Sequence, residues 1–256
     1  MNEIKYGWWF PPNVSTFGAG VDQLIIVVHW FMLALFVGWG AFLVYCLIRF
    51  RKRDGHKATY ESAHSKLPKF LEVGVAIFEA ILLIGISYPI WSKIRYELPP
   101  EKDSMLIRIV AQQFVWNIHY PGKDGVFGRT ELKLISDGNP LGLDPNDPAG
   151  KDDIITVNQL HFPVNKPVIA KLTSKDVIHS FSIPVLRVKQ DVIPGMMIPV
   201  WWQANQTGQF EIACAQLCGV GHTLMRGFVS IDTPEEFQKW MAEQEAELTP
   251  PAPQPM

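Results

Sequence analysis

The sequence predicts a membrane-anchored all-β protein: a two-helix transmembrane hairpin followed by a β-sandwich with a short C-terminal helix. Three observations predict it. Apolar residues reach 48% and tryptophans number nine, with the excess gathered in two stretches near the N-terminus. Beyond residue 104 the apolar period changes to two, in short runs rich in β-branched and aromatic side chains. After the last run comes a capped amphipathic segment. The expected division is an N-terminal tail and hairpin over 1–92, a linker over 93–104, a sandwich with its terminal helix over 105–247, and a proline-rich tail over 248–256.

From Gln23 to Ile48 there is no Asp, Glu, Lys or Arg. At about 1.5 Å per residue this run crosses a hydrocarbon core of roughly 30 Å, so residues 23–48 are expected to form the first span. A cleaved signal peptide fits poorly, because the run is too long, no basic region precedes it and no small-residue cleavage site follows. Residues 71–92, "LEVGVAIFEAILLIGISYPIWS", read as the second span, with Glu72 at its start and Glu79 two turns deeper. Ionised carboxylates at that depth are costly and usually face protein or water. Cys46, in the first span, reads as packing.

Between the spans, Arg49 to Lys69 holds seven Lys/Arg against Asp54 and Glu61. The positive-inside rule places this loop in the cytoplasm, and both termini with everything after Ser92 on the opposite side. The part after Ser92 carries fifteen Lys/Arg against nineteen Asp/Glu. Such mild acidity suits steering of a cationic partner and suits an ordinary solvated surface equally. No nucleic-acid partner is expected. Two of the three cysteines fall in the outer, oxidising compartment, where a structural disulfide is the first reading.

The linker "KIRYELPPEKDS" combines charges with Pro99 and Pro100. Seven runs then read as strands: "MLIRIV", "QFVWNIHY", "PVIAKL", "VIHSFSIP", "VLRVKQDVI", "QFEIAC" and "RGFVSID". The polar excursion from Ser136 to Asp153 reads as an exposed loop. In "TPEEFQKWMAEQEAEL", Thr233 is the expected N-cap, Pro234 the first helical residue and Glu236 the partner that closes a capping box. Phe237, Trp240 and Met241 then share one face of the terminal helix. The final "TPPAPQPM" has the composition of a disordered tail.

The stretch "CAQLCGVGHTLM", Cys214 to Met225, places two thiols, an imidazole and a thioether in twelve residues. An amphipathic helical turn is one reading, against which Gly219 and Gly221 argue, since glycine costs helix stability and permits tight turns. A Cys214–Cys218 disulfide is another, but it leaves His222 and Met225 idle. Soft and borderline donors of this kind favour copper over magnesium, calcium or manganese. A mononuclear blue-copper site needs one Cys, two His and a weak Met, and here there is one cysteine too many. Two thiolates can bridge two copper ions, which requires a second histidine from elsewhere. His179, in an alternating apolar run 35 residues before Cys214, is the candidate. His119 and His161 have no such context and read as structural.

With two spans, strand runs, "DVIHSF", "DVIPG" and "CAQLCGVGHTLM", the chain resembles subunit II of the haem-copper cytochrome c oxidases over nearly its whole length, in the form that carries the binuclear CuA centre. The resemblance implies a cupredoxin-like sandwich. It implies that Cys214 and Cys218 bridge two copper ions, that His179 and His222 give one imidazole each, that Met225 gives a thioether and that Gln216 gives its backbone carbonyl. It further implies an oxidoreductase subunit in a proton-translocating complex. Electrons would come from a c-type cytochrome and leave to haem in subunit I, where oxygen is reduced, among other oxidase subunits. The lipid bilayer would be the bacterial inner membrane, with the CuA domain on the periplasmic side.

Two positions depart from the family pattern. Many members carry a Glu, bound to magnesium at the subunit I boundary, where this chain has Gln216, and a neutral amide weakens the case for magnesium. Many carry a tryptophan where this chain has Phe114, so the aromatic patch that receives electrons is expected at Phe114 and Trp116, with Asp176 helping to dock the donor. Glu72 matches the family's proton-uptake glutamate and reads equally as a helix-start residue at an interface. The rival readings are a CuA subunit of another haem-copper reductase, such as a nitric oxide reductase, and a membrane copper chaperone. The chaperone would need a βαβ pattern around the cysteines.

Overall fold

The computed structural model describes residues 10–55, 57, 60 and 65–248. They form two units, residues 19–96 and residues 10–18 with 97–248. In the first unit, α1 (Gly18–Arg49) contains the charge-free run. The second helix starts as α2 (Leu67–Ala80), passes through a π-helical segment (Ile81–Ser87) and ends as α3 (Tyr88–Tyr96). Both helices are long and apolar enough to cross a membrane. Phe31 of α1 packs on Phe78 of α2 with ring centroids 4.5 Å apart. The helix runs four residues into the expected linker, because Lys93 and Arg95 in its last turn suit the negative end of the helix dipole.

The second unit is a cupredoxin-like sandwich of two five-stranded sheets. Their strands are β1 (Met105–Gln112), β2 (Val115–Tyr120), β3 (Ile154–Val157), β4 (Gln159–Pro163), β5 (Val168–Ser174), β6 (His179–Ile183), β7 (Val188–Val192), β8 (Ile198–Trp202), β9 (Gly208–Cys214) and β10 (Arg226–Asp232). The sheet orders are β3-β2-β1-β5-β8 and β4-β10-β9-β6-β7. Trp116, Trp202, Phe162 and Phe181 fill the space between the sheets. Phe181 lies 5.5 Å from Trp116 and 5.8 Å from Trp202 between ring centroids.

Ten strands stand where seven runs were expected, and the three extra ones, β3, β4 and β8, are all sheet edges. β3 and β4 are separated by Asn158 alone, whose φ of 59° carries the chain from one sheet to the other. Asn158 Oδ1 accepts from the Trp116 backbone N–H at 2.8 Å, which fixes this crossing. β8 contains Pro199, which an edge strand tolerates because no neighbour needs its missing N–H.

The excursion expected to be an exposed loop is anchored instead. Leu141, Asp144 and Asp153 are buried in it. Its polar residues find partners: Arg129 donates to Asp144 at 2.6 Å, Asp153 Oδ2 lies 2.6 Å from His119 Nε2, and Asn139 Oδ1 accepts from the Leu143 N–H at 2.8 Å. Ahead of α1, Val14 is buried and bonded to the Val185 carbonyl at 3.0 Å, so this segment joins the sandwich. At the other end α4 (Pro234–Leu248) has the expected capping box, with Thr233 N to Glu236 Oε2 at 3.0 Å and Glu236 N to Thr233 Oγ1 at 3.2 Å. Trp240 and Met241 pack on the core, and Trp240 stacks on His161 at 4.2 Å. The proline-rich tail from residue 249 onward lies outside the described residues.

Candidate metal centre

The chemistry-bearing stretch is the connection between β9 and β10 of one sheet. Cys214 ends β9 and Met225 immediately precedes β10, and their backbones bond across the base of the loop at 3.2 Å. Ala215 N donates to the Ser180 carbonyl at 2.9 Å, which ties the loop to β6 just past His179. The loop closes through a 3-10 turn, His222–Leu224, whose tight geometry brings His222 and Met225 back toward Cys218. The helical-turn reading of the whole stretch is thereby set aside.

His179, Cys214 and Cys218 offer donor atoms that all lie within 4.8 Å of one another. Cys218 Sγ is 3.7 Å from Cys214 Sγ, 3.7 Å from His222 Nδ1 and 3.7 Å from Met225 Sδ. The Gln216 carbonyl lies 3.2 Å from Cys214 Sγ. Both cysteines are free, and their sulfur separation far exceeds a disulfide bond of about 2.05 Å. All six residues named as candidate ligands therefore gather around two sulfurs.

The donor set fits a soft metal on an observation independent of its composition. His179 is wholly buried, yet its Nδ1 has no hydrogen-bond partner, while its Nε2 lies 2.8 Å from Asp176 Oδ1. A buried polar atom left without a partner is costly, and a metal would satisfy it. Burial also pushes the Cys218 thiol up to about 11, with the hydrogen bond and charge of Cys214 adding to it. Metal binding must displace that proton.

Asp176 was expected to face a docking partner. The residue is exposed, and its carboxylate accepts from the Gln113 backbone N–H and the Val177 N–H at 2.7 Å each, besides the His179 contact. Burial pushes its carboxyl up, but the hydrogen bonds from His179, Gln113 and Val177 outweigh this and hold it below the usual carboxylate range. Trp116 does not reach the surface, since it is entirely buried with its ring 6.2 Å from that of His179. Trp116 belongs to the core with Ile118 and Tyr120 of β2, and of the two aromatic positions only Phe114, in the β1–β2 turn, is partly exposed. Glu72 lies on α2 in the helical unit and is not part of the cluster.

Gln113 escaped the sequence reading. Its side-chain N–H donates to the Cys218 carbonyl at 2.7 Å while its backbone serves Asp176, so one residue holds both sides of the site. Only the folded register brings it there, 105 residues from Cys218 in the chain. Phe114 beside it covers two loop glycines: a Cβ on Gly221 would lie 2.5 Å from the Phe114 ring. Outside the donors, Leu217, Val220 and Leu224 project from the loop as exposed apolar side chains.

Residues 105–231 match the family described as cytochrome c oxidase subunit II, periplasmic domain. The alternative cytochrome c oxidase subunit 2 of Bradyrhizobium diazoefficiens is 34% identical over 238 residues, covering 93% of this chain and 84% of the relative. Cytochrome c oxidase subunit 2 of Cereibacter sphaeroides is 25% identical over 247 residues, covering 90% and 80%. The solved periplasmic domain of subunit II of cytochrome oxidase from Bradyrhizobium japonicum is similar at 28% identity and a TM-score of 0.44, over 59% of this chain and 99% of that one.

Proposed function

The chain belongs to the cytochrome c oxidase subunit II family, and on that premise we propose that it is the electron-relay subunit of a terminal oxidase, holding a binuclear copper centre. The observation that carries this reading is the buried, unpartnered Nδ1 of His179 in a donor cluster with two free cysteines. Cys214 and Cys218 with their thiolates, His179 and His222 with their imidazoles, Met225 with its thioether and Gln216 with its carbonyl would hold the two coppers. When bound, such a centre supplies a one-electron store shared between two metals.

The rest is the work of the chain's own residues. Asp176 fixes the tautomer of His179 by accepting a hydrogen bond from its Nε2–H, which leaves the Nδ1 lone pair to face a metal. Gln113 holds the loop at Cys218, and Phe114 packs over Gly219 and Gly221, so the loop stays in place and the buried Cys218 is kept from water. The partners in this reading are a c-type cytochrome as donor, and subunit I as acceptor, where oxygen is reduced with proton translocation. The donor docks by Phe114 and the exposed apolar tip of the loop, and Glu72 serves proton uptake. The helices sit in a bacterial inner membrane with the sandwich on the periplasmic side. A copper chaperone of thioredoxin type is disfavoured, because the cysteines lie between antiparallel strands β9 and β10.

Metal analysis and paramagnetic resonance of the detergent-solubilised full chain test the reading. Two coppers per chain and a shared-valence signal are expected, with Cys218→Ser abolishing that signal. A single copper with a blue-copper spectrum would overturn it.

A further inference from the structure

Glu79 is the one acidic side chain set deep in the second helix, and neither the fold nor the metal centre uses it. It lies about 15 Å along the helix from Lys69 and about 21 Å from Lys93, the basic residues that flank the apolar stretch. In a hydrocarbon core of roughly 30 Å that is close to the middle, and a glutamate side chain is far too short to reach either boundary.

None of the described residues covers it. Among the described residues Glu79 is exposed and has no hydrogen-bond or ion-pair partner. Phe78, one position earlier, meets Phe31 of α1, which leaves Glu79 about 100° around the helix from that contact. His29 of α1 is engaged with its own Ile25 carbonyl at 2.8 Å. Two residues past Glu79 the helix changes to its π-helical segment, Ile81–Ser87, a widened backbone that recurs at functional positions in helices. Facing lipid, an ionised carboxylate at this depth is costly.

We propose that Glu79 is an intramembrane anchor for a neighbouring transmembrane subunit, its carboxyl meeting a basic or hydrogen-bond-donating side chain on a partner helix at the same depth. Charge complementarity selects that occupant, since lipid offers no donor and a purely apolar helix would leave the carboxyl unpaired. The proposal rests on the reading that this chain works within a multi-subunit oxidase.

The test expresses the tagged full chain with the whole oxidase and compares native, Glu79→Gln and Glu79→Leu after detergent solubilisation. The Leu variant should retain at least about tenfold less of the neighbouring membrane subunit, whereas Gln, which still forms hydrogen bonds, stays within about threefold of native. Membrane insertion and copper content serve as folding controls, and Glu79→Ala repeats the measurement with a smaller side chain. A Leu variant that retains the neighbour like native overturns the proposal alone. So does a pair of variants that both assemble fully but lose turnover, which would mark a proton path. A native chain that retains no membrane partner overturns the functional reading as well.

Discussion

Asp176 and His179 are joined through the imidazole Nε2, 2.8 Å from the carboxylate, so the buried Nδ1 is the ring nitrogen left without a partner. A carboxylate behind a ligating histidine sets its tautomer and raises its basicity. Asp176→Ala should therefore lower copper affinity by about 10–100-fold and alter the copper spectrum. The salt dependence of reduction by a cytochrome should change little. Stopped-flow reduction at several ionic strengths, beside copper titration, checks both parts. A flattened salt response with an unchanged spectrum would return Asp176 to the docking role its sequence context suggested.

The ligand loop depends on an aromatic lid. A Cβ at Gly221 would lie 2.5 Å from Phe114 Cδ2, and one at Gly219, where φ is +135°, would meet Gln113 Nε2 at 2.7 Å. Gly221→Ala should force the Phe114 ring away at a cost of roughly 1–3 kcal/mol, the range for overpacking. Replacing Phe114 by Ala in the same chain removes the clash and should recover part of that loss. Unfolding midpoints of the single and double variants measure it, and strictly additive losses would show that the two sites do not touch.

Much of this site was legible because it is local in sequence: a twelve-residue loop contains every ligand but His179. That residue became readable only beside the loop, since one histidine in an alternating strand is ordinarily a core residue. Gln113 was not legible, because its contacts with Asp176 and Cys218 depend on which segments lie side by side in the fold. The first span was readable from its charge-free run of 26 residues, Gln23 to Ile48, and the second from its apolar length despite Glu79. The missed strands β3, β4 and β8 share a physical cause. Edge strands pair on one side only, so they can be short or hold a proline and lose the pattern that marks a central strand.

The docking of α4 predicts a pH dependence. Asp232 lies 2.9 Å from His161 Nδ1 and accepts from Ser230 at 2.6 Å, while the His161 ring stacks on Trp240 of α4. Burial pushes the Asp232 carboxyl up, but the hydrogen bonds from His161 and Ser230 and the charge of His161 outweigh it and hold it below the ordinary value. A depressed folded pKa gives stability that is present above the unfolded pKa of about 4 and is lost as pH falls through the folded value. The thermal midpoint of the sandwich should drop in acid below about pH 4, and Asp232→Asn should flatten that limb while lowering the midpoint at neutral pH. Calorimetry across pH, with tryptophan fluorescence reporting α4, decides the matter. An unchanged acid limb in the variant would assign the acid sensitivity to other carboxylates.

Gln216 divides its backbone from its side chain. Its carbonyl lies 3.2 Å from Cys214 Sγ, inside the donor cluster, while the residue as a whole is exposed. Only the carbonyl is placed to touch a soft metal, so changing the side chain should leave a copper centre intact. The amide is neutral, and a hard divalent cation prefers charged carboxylate oxygen. Gln216→Glu adds a negative charge on the exposed side of the loop without altering the carbonyl. The variant should then bind magnesium, or manganese in its place, more tightly in the assembled complex, with the copper spectrum nearly unchanged. Manganese resonance titrations of native and variant complexes measure the first part, and the copper spectrum the second. Loss of the copper signal would mean that the side chain helps hold the loop, and unaltered manganese affinity would mean that no hard-cation site adjoins it.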